Sequence, residues 1–207
     1  MQNIGLMLCG AVLFVNALML LGRVDNKSAG IFNLFIGSIQ VITPFYVSIT
    51  SNDQWIIFNA SGVFLFGLTF LYVGISNLKG YNTAGIGWFS LWVTVLAIAY
   101  GTMSFIHFND IKFGIIWFMW AFLWFLFFFL MALNKEIAIF TGWVTLIESV
   151  ITTTIPAFLL LIGKWNIVSN TIAIIVTFIF IVVVIWLYFW TRLTHNYKSS
   201  EIKIASM

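Results

Sequence analysis

Long apolar stretches separated by short polar connections form the dominant pattern of this chain. Seven stretches reach the length of about 20 residues that an α-helix needs to cross a bilayer. Because the connections are only a few residues long, consecutive helices are expected to be antiparallel and to pack in sequence order. The pattern predicts an all-α integral membrane protein, a bundle of about seven transmembrane helices. The predicted segments are 3–22, 29–50, 56–78, 85–106, 113–133, 140–162 and 168–191.

Composition agrees with a membrane-embedded chain. Of 207 residues, 62% are hydrophobic and 7% are charged, whereas a typical soluble domain has about 25% charged residues. The net charge of +3 lies in the connections and the C-terminal end, so we expect no nucleic-acid partner. Cys9 is the only cysteine, which excludes an intrachain disulfide and a multi-cysteine metal site. No basic residues precede the first segment, which is expected to be a retained helix.

Lys and Arg residues are distributed unevenly between the two sides of the predicted bundle. Seven fall on one side when the segments alternate, against two on the other. Because the side richer in Lys and Arg is normally cytoplasmic, the N-terminus is predicted outside and the C-terminus in the cytoplasm. The seven are Arg23, Lys27, Lys79, Lys135, Arg192, Lys198 and Lys203, and the two are Lys112 and Lys164.

The seventh segment differs from the first six. Residues 172–185 are nearly all Ile, Val and Phe, with Thr177 as the only polar residue. A helix without a polar or small-residue face has little to offer a pore, so this one is predicted to be peripheral. The predicted division is a six-helix core over 1–166, a seventh helix over 167–191 and a basic cytoplasmic tail over 192–207.

Proline and glycine positions predict local features of the helices. Pro44 and Pro156 lie inside predicted segments, where a missing N–H group kinks a helix. The hydroxyls of residues 152–154, all Thr, are expected to satisfy carbonyls freed near Pro156. Three glycines of the third segment permit close backbone approach to a neighbouring helix: Gly62, Gly67 and Gly74.

Glu148 is the only charged residue within a predicted segment. A carboxyl group at membrane depth costs several kcal/mol unless it meets a partner or a water-filled cavity. Two interpretations remain open. Glu148 is either a polar contact in a solute path or a structural group that pairs with Ser, Thr, Asn or Trp donors.

An aromatic stripe runs along the fifth segment. Phe113, Trp117, Trp120 and Trp124 are spaced by four, three and four residues, which places them on one helical face. The stripe indicates either packing or a flat-walled slot that rejects ions through their desolvation cost and passes a small neutral planar solute. Glu148 would accept hydrogen bonds from the N–H groups of urea or a short amide. Two other predicted segments also place residues on one helical face. They are the third, with Phe66 and Phe70, and the first, with Cys9, Leu13 and Asn16.

Residue patterns for catalysis and cofactor binding are absent from the sequence. No nucleophile, base and orienting group occur at a plausible spacing, and no glycine-rich phosphate loop follows a strand. His107 and His195 are isolated in predicted connections, where they form neither a metal site nor a catalytic pair. We therefore predict that the protein is not an enzyme and has no cofactor and no metal.

Short sequence pieces in a fixed order identify a resemblance. They are Asn16, 24–28 (VDNKS), 33–37 (NLFIG), 66–72 (FGLTFLY), 88–91 (WFSL), 115–117 (IIW), Trp120, Trp124, 147–148 (IE) and 155–157 (IPA). Their order and spacing over most of residues 1–166 resemble the UreI/AmiS family of bacterial urea and short-chain amide channels.

The resemblance implies a six-helix protomer with its own pore, in a hexameric ring around a lipid-filled centre in the bacterial inner membrane. It also implies two pore constrictions. One would be lined by Glu148, Trp124, Leu13 and Cys9, and the other would be lined or flanked by Phe66, Phe70, Trp117, Trp120 and Phe113.

Departures from the family pattern bear on selectivity and gating. Phe113 and Phe70 stand where the resemblance leads us to expect larger or more polar aromatics, and Cys9 stands where we expect an aliphatic residue. Acid-gated members have long external loops rich in histidine. The external connections here are short, and His107 is their only histidine. The resemblance therefore implies a channel that is not gated by external acid.

Three functions follow as hypotheses. The first is a passive channel for urea or a short-chain amide, feeding a cytoplasmic urease or amidase. The second is a proton-coupled transporter that uses Glu148 as the carrier, although no second Asp or Glu and no Lys, Arg or His lies within the predicted segments. The third is a non-transporting scaffold or sensor, in which Glu148 and the aromatic stripe only pack.

Overall fold

The computed structural model describes the backbone of residues 2–205 and the side chains of residues 3–194. Within that part of the chain every regular element is helical, and seven helical spans are long and apolar enough to cross a membrane. The predicted all-α architecture is confirmed. The helices are α1 (Gln2–Leu20), α2 (Asn26–Thr50), α3 (Gln54–Lys79), α4 (Ala84–Ile106), α5 (Ile111–Met131), α6 (Ala138–Glu148), α7 (Ile155–Leu161) and α8 (Asn170–Ala205).

Three aspartates fix where helices begin. Asp25, Asp53 and Asp110 precede α2, α3 and α5, and their carboxylates accept hydrogen bonds from backbone N–H groups of the first turn. Such caps satisfy donors that have no partner within the helix. The helices therefore begin two or three residues before the apolar pattern predicts. Hydrogen bonds from Ser28 hold the pKa of the Asp25 carboxyl below its ordinary value.

The sixth span is not the single helix predicted over 140–162. It runs from Ala138 to Leu161 as α6, a π-helical segment (Ser149–Thr154) and α7. Pro156 has no N–H to donate, and the N–H of Ile155 donates to the carbonyl of Val150, five residues earlier. The hydroxyls of residues 152–154 donate to the carbonyls of residues 148 and 149. In a regular helix the missing N–H of Pro156 would leave the carbonyl of residue 152 without a partner, so the predicted compensation by these hydroxyls stays a prediction.

The first six spans form one compact unit that ends at Val168. Each span contacts the next one along the chain, and α1 packs against α6, the π segment and α7, so the six spans close into a ring. The most extensive contacts join α2 to α3 and α4 to α5. This arrangement follows from short connections that hold consecutive helices side by side.

Glycines bring α2 and α3 into backbone contact, as their positions predict. A Cβ atom on Gly67 would lie 2.8 Å from the carbonyl carbon of Gln40, and one on Gly74 would lie 2.9 Å from the carbonyl oxygen of Gly30. Gly62 serves a different contact, because its missing side chain makes room for the ring of Trp117 on α5.

A valine at position 67 is expected to destabilise the bundle. The neighbouring atoms belong partly to the α2 backbone, which cannot rotate away as a side chain can. Overpacking of this kind typically costs about 1–3 kcal/mol, so Gly67→Val lowers the unfolding temperature of the purified protein in detergent. Gly5→Ala is the matched control, because a Cβ there meets nothing within 4 Å. Equal melting temperatures for Gly67→Val and wild type would contradict this packing.

The second compact unit begins at Ser169 and contains α8. Its apolar part spans Asn170–Thr194. The helix continues to Ala205, past the predicted end at residue 191, so the expected tail over 192–207 is helical through residue 205. The predicted end marks where the chain becomes polar. A polar stretch can still continue a helix, because Lys, Glu and Arg are all good helix formers. The side chains of His195, Lys198 and Lys203, and residues 206–207, lie outside the described part.

Candidate functional site

Two cavities lie end to end inside the ring of six spans, and both are bounded by Phe66 and Trp120. Cavity 1, of about 30 Å³, opens toward the α1–α2, α3–α4 and α5–α6 connections. Cavity 2, of about 140 Å³, lies toward the start of α1 and the α2–α3 and α4–α5 connections. A water needs about 10–15 Å³ of such space, so cavity 2 has room for several waters or one small solute.

Aromatic rings meet where the cavities adjoin. The ring of Phe66 on α3 lies 4.8 Å from that of Trp120 in an edge-to-face arrangement, and 4.6 Å from that of Trp124. Trp117 contacts Trp120 at 4.9 Å and stacks on Tyr100 at 4.7 Å. The helical spacing of the tryptophans on α5 therefore directs their rings into the bundle. We call Phe66, Trp120 and Trp124 the ring junction.

Eight of the nine predicted pore residues line a cavity. Their grouping differs from the one that the resemblance implies, because Cys9 lies apart from Leu13 and Trp124, while Phe70 joins them. Cys9 and Leu13 are one helical turn apart on α1, and the boundary between the cavities falls within that turn. Leu13, Phe66, Phe70, Trp120 and Trp124 line cavity 1; Cys9, Phe66, Phe113, Trp117 and Trp120 line cavity 2.

Glu148, the ninth, lines neither cavity. It is the last residue of α6 and is 0% exposed, and neither carboxyl oxygen has a hydrogen-bond partner. The structural pairing with Ser, Thr, Asn or Trp donors is therefore not seen for this side chain. Burying a carboxyl group without a hydrogen-bond partner costs free energy. A hydrogen bond from a solute or a water to its oxygens would reduce that cost. Its contact with a permeating solute stays a prediction.

A hydrogen-bonded chain connects the ring junction to the backbone of Glu148. The indole Nε1 of Trp120 donates to the hydroxyl of Thr152 at 2.9 Å, and that hydroxyl donates to the Glu148 carbonyl at 2.6 Å. Sequence reasoning assigned Thr152 only to the carbonyls near Pro156 and missed the indole. The two residues are 32 positions apart, and no spacing rule connects them.

Amide side chains supply most of the other polar groups near the cavities. Asn16, which lines cavity 1, forms a reciprocal amide pair with Asn33 of α2. Gln40 lines cavity 2, and its Nε2 donates to the Gly5 carbonyl at 2.9 Å, while its Oε1 has no partner. Leaving such an acceptor unsatisfied costs about 1–3 kcal/mol. Sequence reasoning missed Asn33 and Gln40, although their seven-residue spacing within an apolar stretch was a usable signal.

Both cavities are lined by uncharged side chains. Among the described residues, no Asp, Glu, Lys, Arg or His lines either one, and no group of three His, Cys, Asp or Glu could hold a metal ion. The walls therefore present aromatic and aliphatic surface with a few amides and hydroxyls. Such walls cannot replace the hydration shell of an ion.

The sequence matches a known family of transporters and is similar to individual transporter proteins. The family described as AmiS/UreI family transporter matches residues 1–164. The chain is 49% identical over 168 residues to a putative transporter protein AmiS2 of Rhodococcus erythropolis, covering 80% of this chain and 82% of that one. It is 42% identical to a putative amidate substrates transporter protein of Mycolicibacterium smegmatis, covering 80% of this chain and 79% of that one.

A solved structure shares the fold. The cryoEM structure of the Helicobacter pylori urea channel in its closed state superposes with a TM-score of 0.72 at 27% identity, covering 80% of this chain and 100% of that one. The family match ends at residue 164, so α8 lies beyond it. Sequence and structure both relate the chain to transporters and channels and not to enzymes. This chain belongs to the AmiS/UreI family of multi-pass membrane transporters.

Proposed function

We propose that this protein is a passive channel for small neutral amides, with urea and short-chain aliphatic amides as its permeants. The observation that carries the proposal is the pair of uncharged cavities that meet at the ring junction inside the six-span ring. In this proposal the solute path runs through both cavities, from one set of connections to the other. The names of the relatives, an amidate substrates transporter and a urea channel, support the same permeant class.

The walls explain why a neutral planar solute is favoured. An amide or urea molecule is flat, so it can slide between ring faces and stack on them. It also has N–H donors and a carbonyl acceptor that suit the amide groups of Asn16 and Gln40 at the two cavities. An ion would lose its hydration shell without compensation, which excludes it.

Glu148 is the polar group that we assign to the path. Its carboxyl oxygens are acceptors without a donor, and an amide N–H would satisfy them. The Trp120–Thr152 hydrogen bond and the Thr152 bond to the Glu148 carbonyl connect this residue to the ring junction. Since Glu148 lines neither cavity, we infer that its carboxyl group becomes accessible when the junction rings move to let a solute pass.

The conducting unit is the six-span core over 1–166, with one path per protomer in a homohexamer, and α8 is an addition to it. The excess of Lys and Arg on one side supports a bacterial inner membrane orientation with the N-terminus outside and the C-terminus in the cytoplasm. Permeant that enters would feed a cytoplasmic amidase or urease.

Fast flux of urea and acetamide at both neutral and acid pH is the expected result in proteoliposomes. No carboxylate or histidine lines either cavity, Glu148 is fully buried outside both cavities, and His107 is at the α4–α5 connection, stacked 3.6 Å from the ring of Trp55. Stopped-flow light scattering with an external pH of about 7.5 or 5 should therefore give rates within about twofold of each other. Empty liposomes are the control.

Other outcomes would distinguish the rival functions. Flux at acid pH alone would overturn the ungated assignment and direct attention to His107 or Glu148. Accumulation of acetamide against its gradient, driven by a pH gradient, would show proton coupling. A folded, reconstituted protein that passes neither solute would overturn the channel proposal.

A further inference from the structure

We propose that Thr152 is a positioning residue that holds the indole of Trp120 at the ring junction and thereby sets the size of amide that passes. The inference rests on the proposed function, because it concerns selectivity among its permeants. Thr152 lines neither cavity and touches no solute path directly. It would act only through the ring to which it is hydrogen-bonded.

Thr152 and Trp120 each use their only side-chain proton donor in these two hydrogen bonds. A threonine hydroxyl has one proton, and here it goes to the Glu148 carbonyl at 2.6 Å, which leaves a lone pair for the indole N–H at 2.9 Å. Indole has a single N–H donor, so Trp120 has none left for a solute. Thr152 is 0% exposed and Trp120 is 4% exposed, so water does not compete for the bond.

The other two threonines of the π segment have different hydrogen-bond partners. Thr153 and Thr154 donate to the Ser149 carbonyl instead. Thr153 faces α1, since a Cβ on Gly10 would lie 2.8 Å from its hydroxyl oxygen. Among the hydrogen bonds of the described residues, only that of Thr152 connects the threonine run to an aromatic ring of the junction.

The fixed indole determines the shape of the junction. Trp120 contacts Phe66 at 4.8 Å and Trp117 at 4.9 Å, and it bounds both cavities. Rotation of its ring about the Cβ–Cγ bond would carry Nε1 away from Thr152 and change the gap beside Phe66. Loss of the hydrogen bond would therefore widen the range of ring positions and admit larger amides.

Thr152→Val tests the proposal, because valine keeps the shape of threonine and removes the hydroxyl. The measurement is the ratio of acetamide flux to butyramide flux in proteoliposomes. We expect this ratio to fall about three- to tenfold, the range that loss of one buried hydrogen bond allows. Thr152→Ser, which keeps the hydroxyl, should restore the wild-type ratio. Thr152→Ala replaces the valine variant, with the same expectation, if that variant does not assemble.

Thr153→Val is the matched control, since it removes a neighbouring buried hydroxyl of the same π segment that does not reach a ring. It should leave the ratio at the wild-type value. In a Trp120→Phe background, which has no indole N–H, Thr152→Val should cause no further change in the ratio. A merely structural hydroxyl would instead alter the ratio equally in both backgrounds.

Two results would overturn the inference. The first is a wild-type ratio in folded Thr152→Val, and the second is an equal shift in the Trp120→Phe background. Both presuppose that the wild-type protein conducts acetamide, so they are distinct from failure of the proposed function, in which the wild-type protein conducts neither amide.

Discussion

Replacement of Glu148 by alanine is expected to lower acetamide and urea flux at least tenfold while the assembly stays intact. The carboxyl oxygens are buried and have no partner, so their removal breaks no hydrogen bond within the protein. If they accept the N–H groups of a passing amide, their loss removes up to two hydrogen bonds worth about 0.5–1.5 kcal/mol each. Glu148→Gln keeps one carbonyl acceptor and should retain flux within about threefold of wild type.

The measurement is stopped-flow flux together with size-exclusion chromatography of each variant. The backbone carbonyl of Glu148 remains in both variants, so the bond from Thr152 and the position of Trp120 are expected to persist. Wild-type flux in a monodisperse Glu148→Ala protein would remove Glu148 from the path. The side chain would then be a buried group that the protein tolerates and does not use.

Filling cavity 2 with a larger side chain at position 9 is expected to reduce flux to the level of empty liposomes. Cys9 lines this cavity of about 140 Å³ together with Phe113 and Trp117. A phenylalanine at this position would project its ring into the space that a solute must cross. Cys9→Ala removes volume and adds none, so it is the matched control and should conduct at least as fast as wild type.

Thermal unfolding of each variant separates blockage from misfolding. Cys9 is 2% exposed, and overpacking of a buried position costs about 1–3 kcal/mol, so a modest fall in melting temperature is expected for Cys9→Phe. A folded Cys9→Phe protein that conducts like wild type would show that cavity 2 lies off the path. The aromatic face of α5 would then serve packing alone.

Much of the fold could be predicted because it depends on properties that run along the chain. The length and apolarity of each stretch fix the number of spans, and short connections make neighbours pack. The spacing of Trp117, Trp120 and Trp124 places them on one face of α5, and the structure shows that face turned into the bundle. Gly67 and Gly74 were likewise found at a close contact between helices.

The missed features depend on how the chain folds back on itself. The pairing of Trp120 with Thr152, of Asn16 with Asn33 and of Gln40 with the Gly5 carbonyl joins residues from different helices. Such contacts depend on the rotation and axial offset of each helix, which the apolar pattern leaves open because nearly every face is apolar. The separation of Cys9 from Leu13 into different cavities is of the same kind.

The sequence by itself determined a membrane-embedded helical chain, the number of its spans, a resemblance to a transporter family and the residue types available for a solute path. The tertiary structure decided which of those residues meet, because closure of six spans into a ring selects one face of each helix. It also decided that the sixth span passes through a π segment at Ser149–Thr154, directly before Pro156, which has no N–H to continue the backbone hydrogen bonds. Within that segment Thr152 meets the indole of Trp120, a contact that no periodicity along the chain encodes.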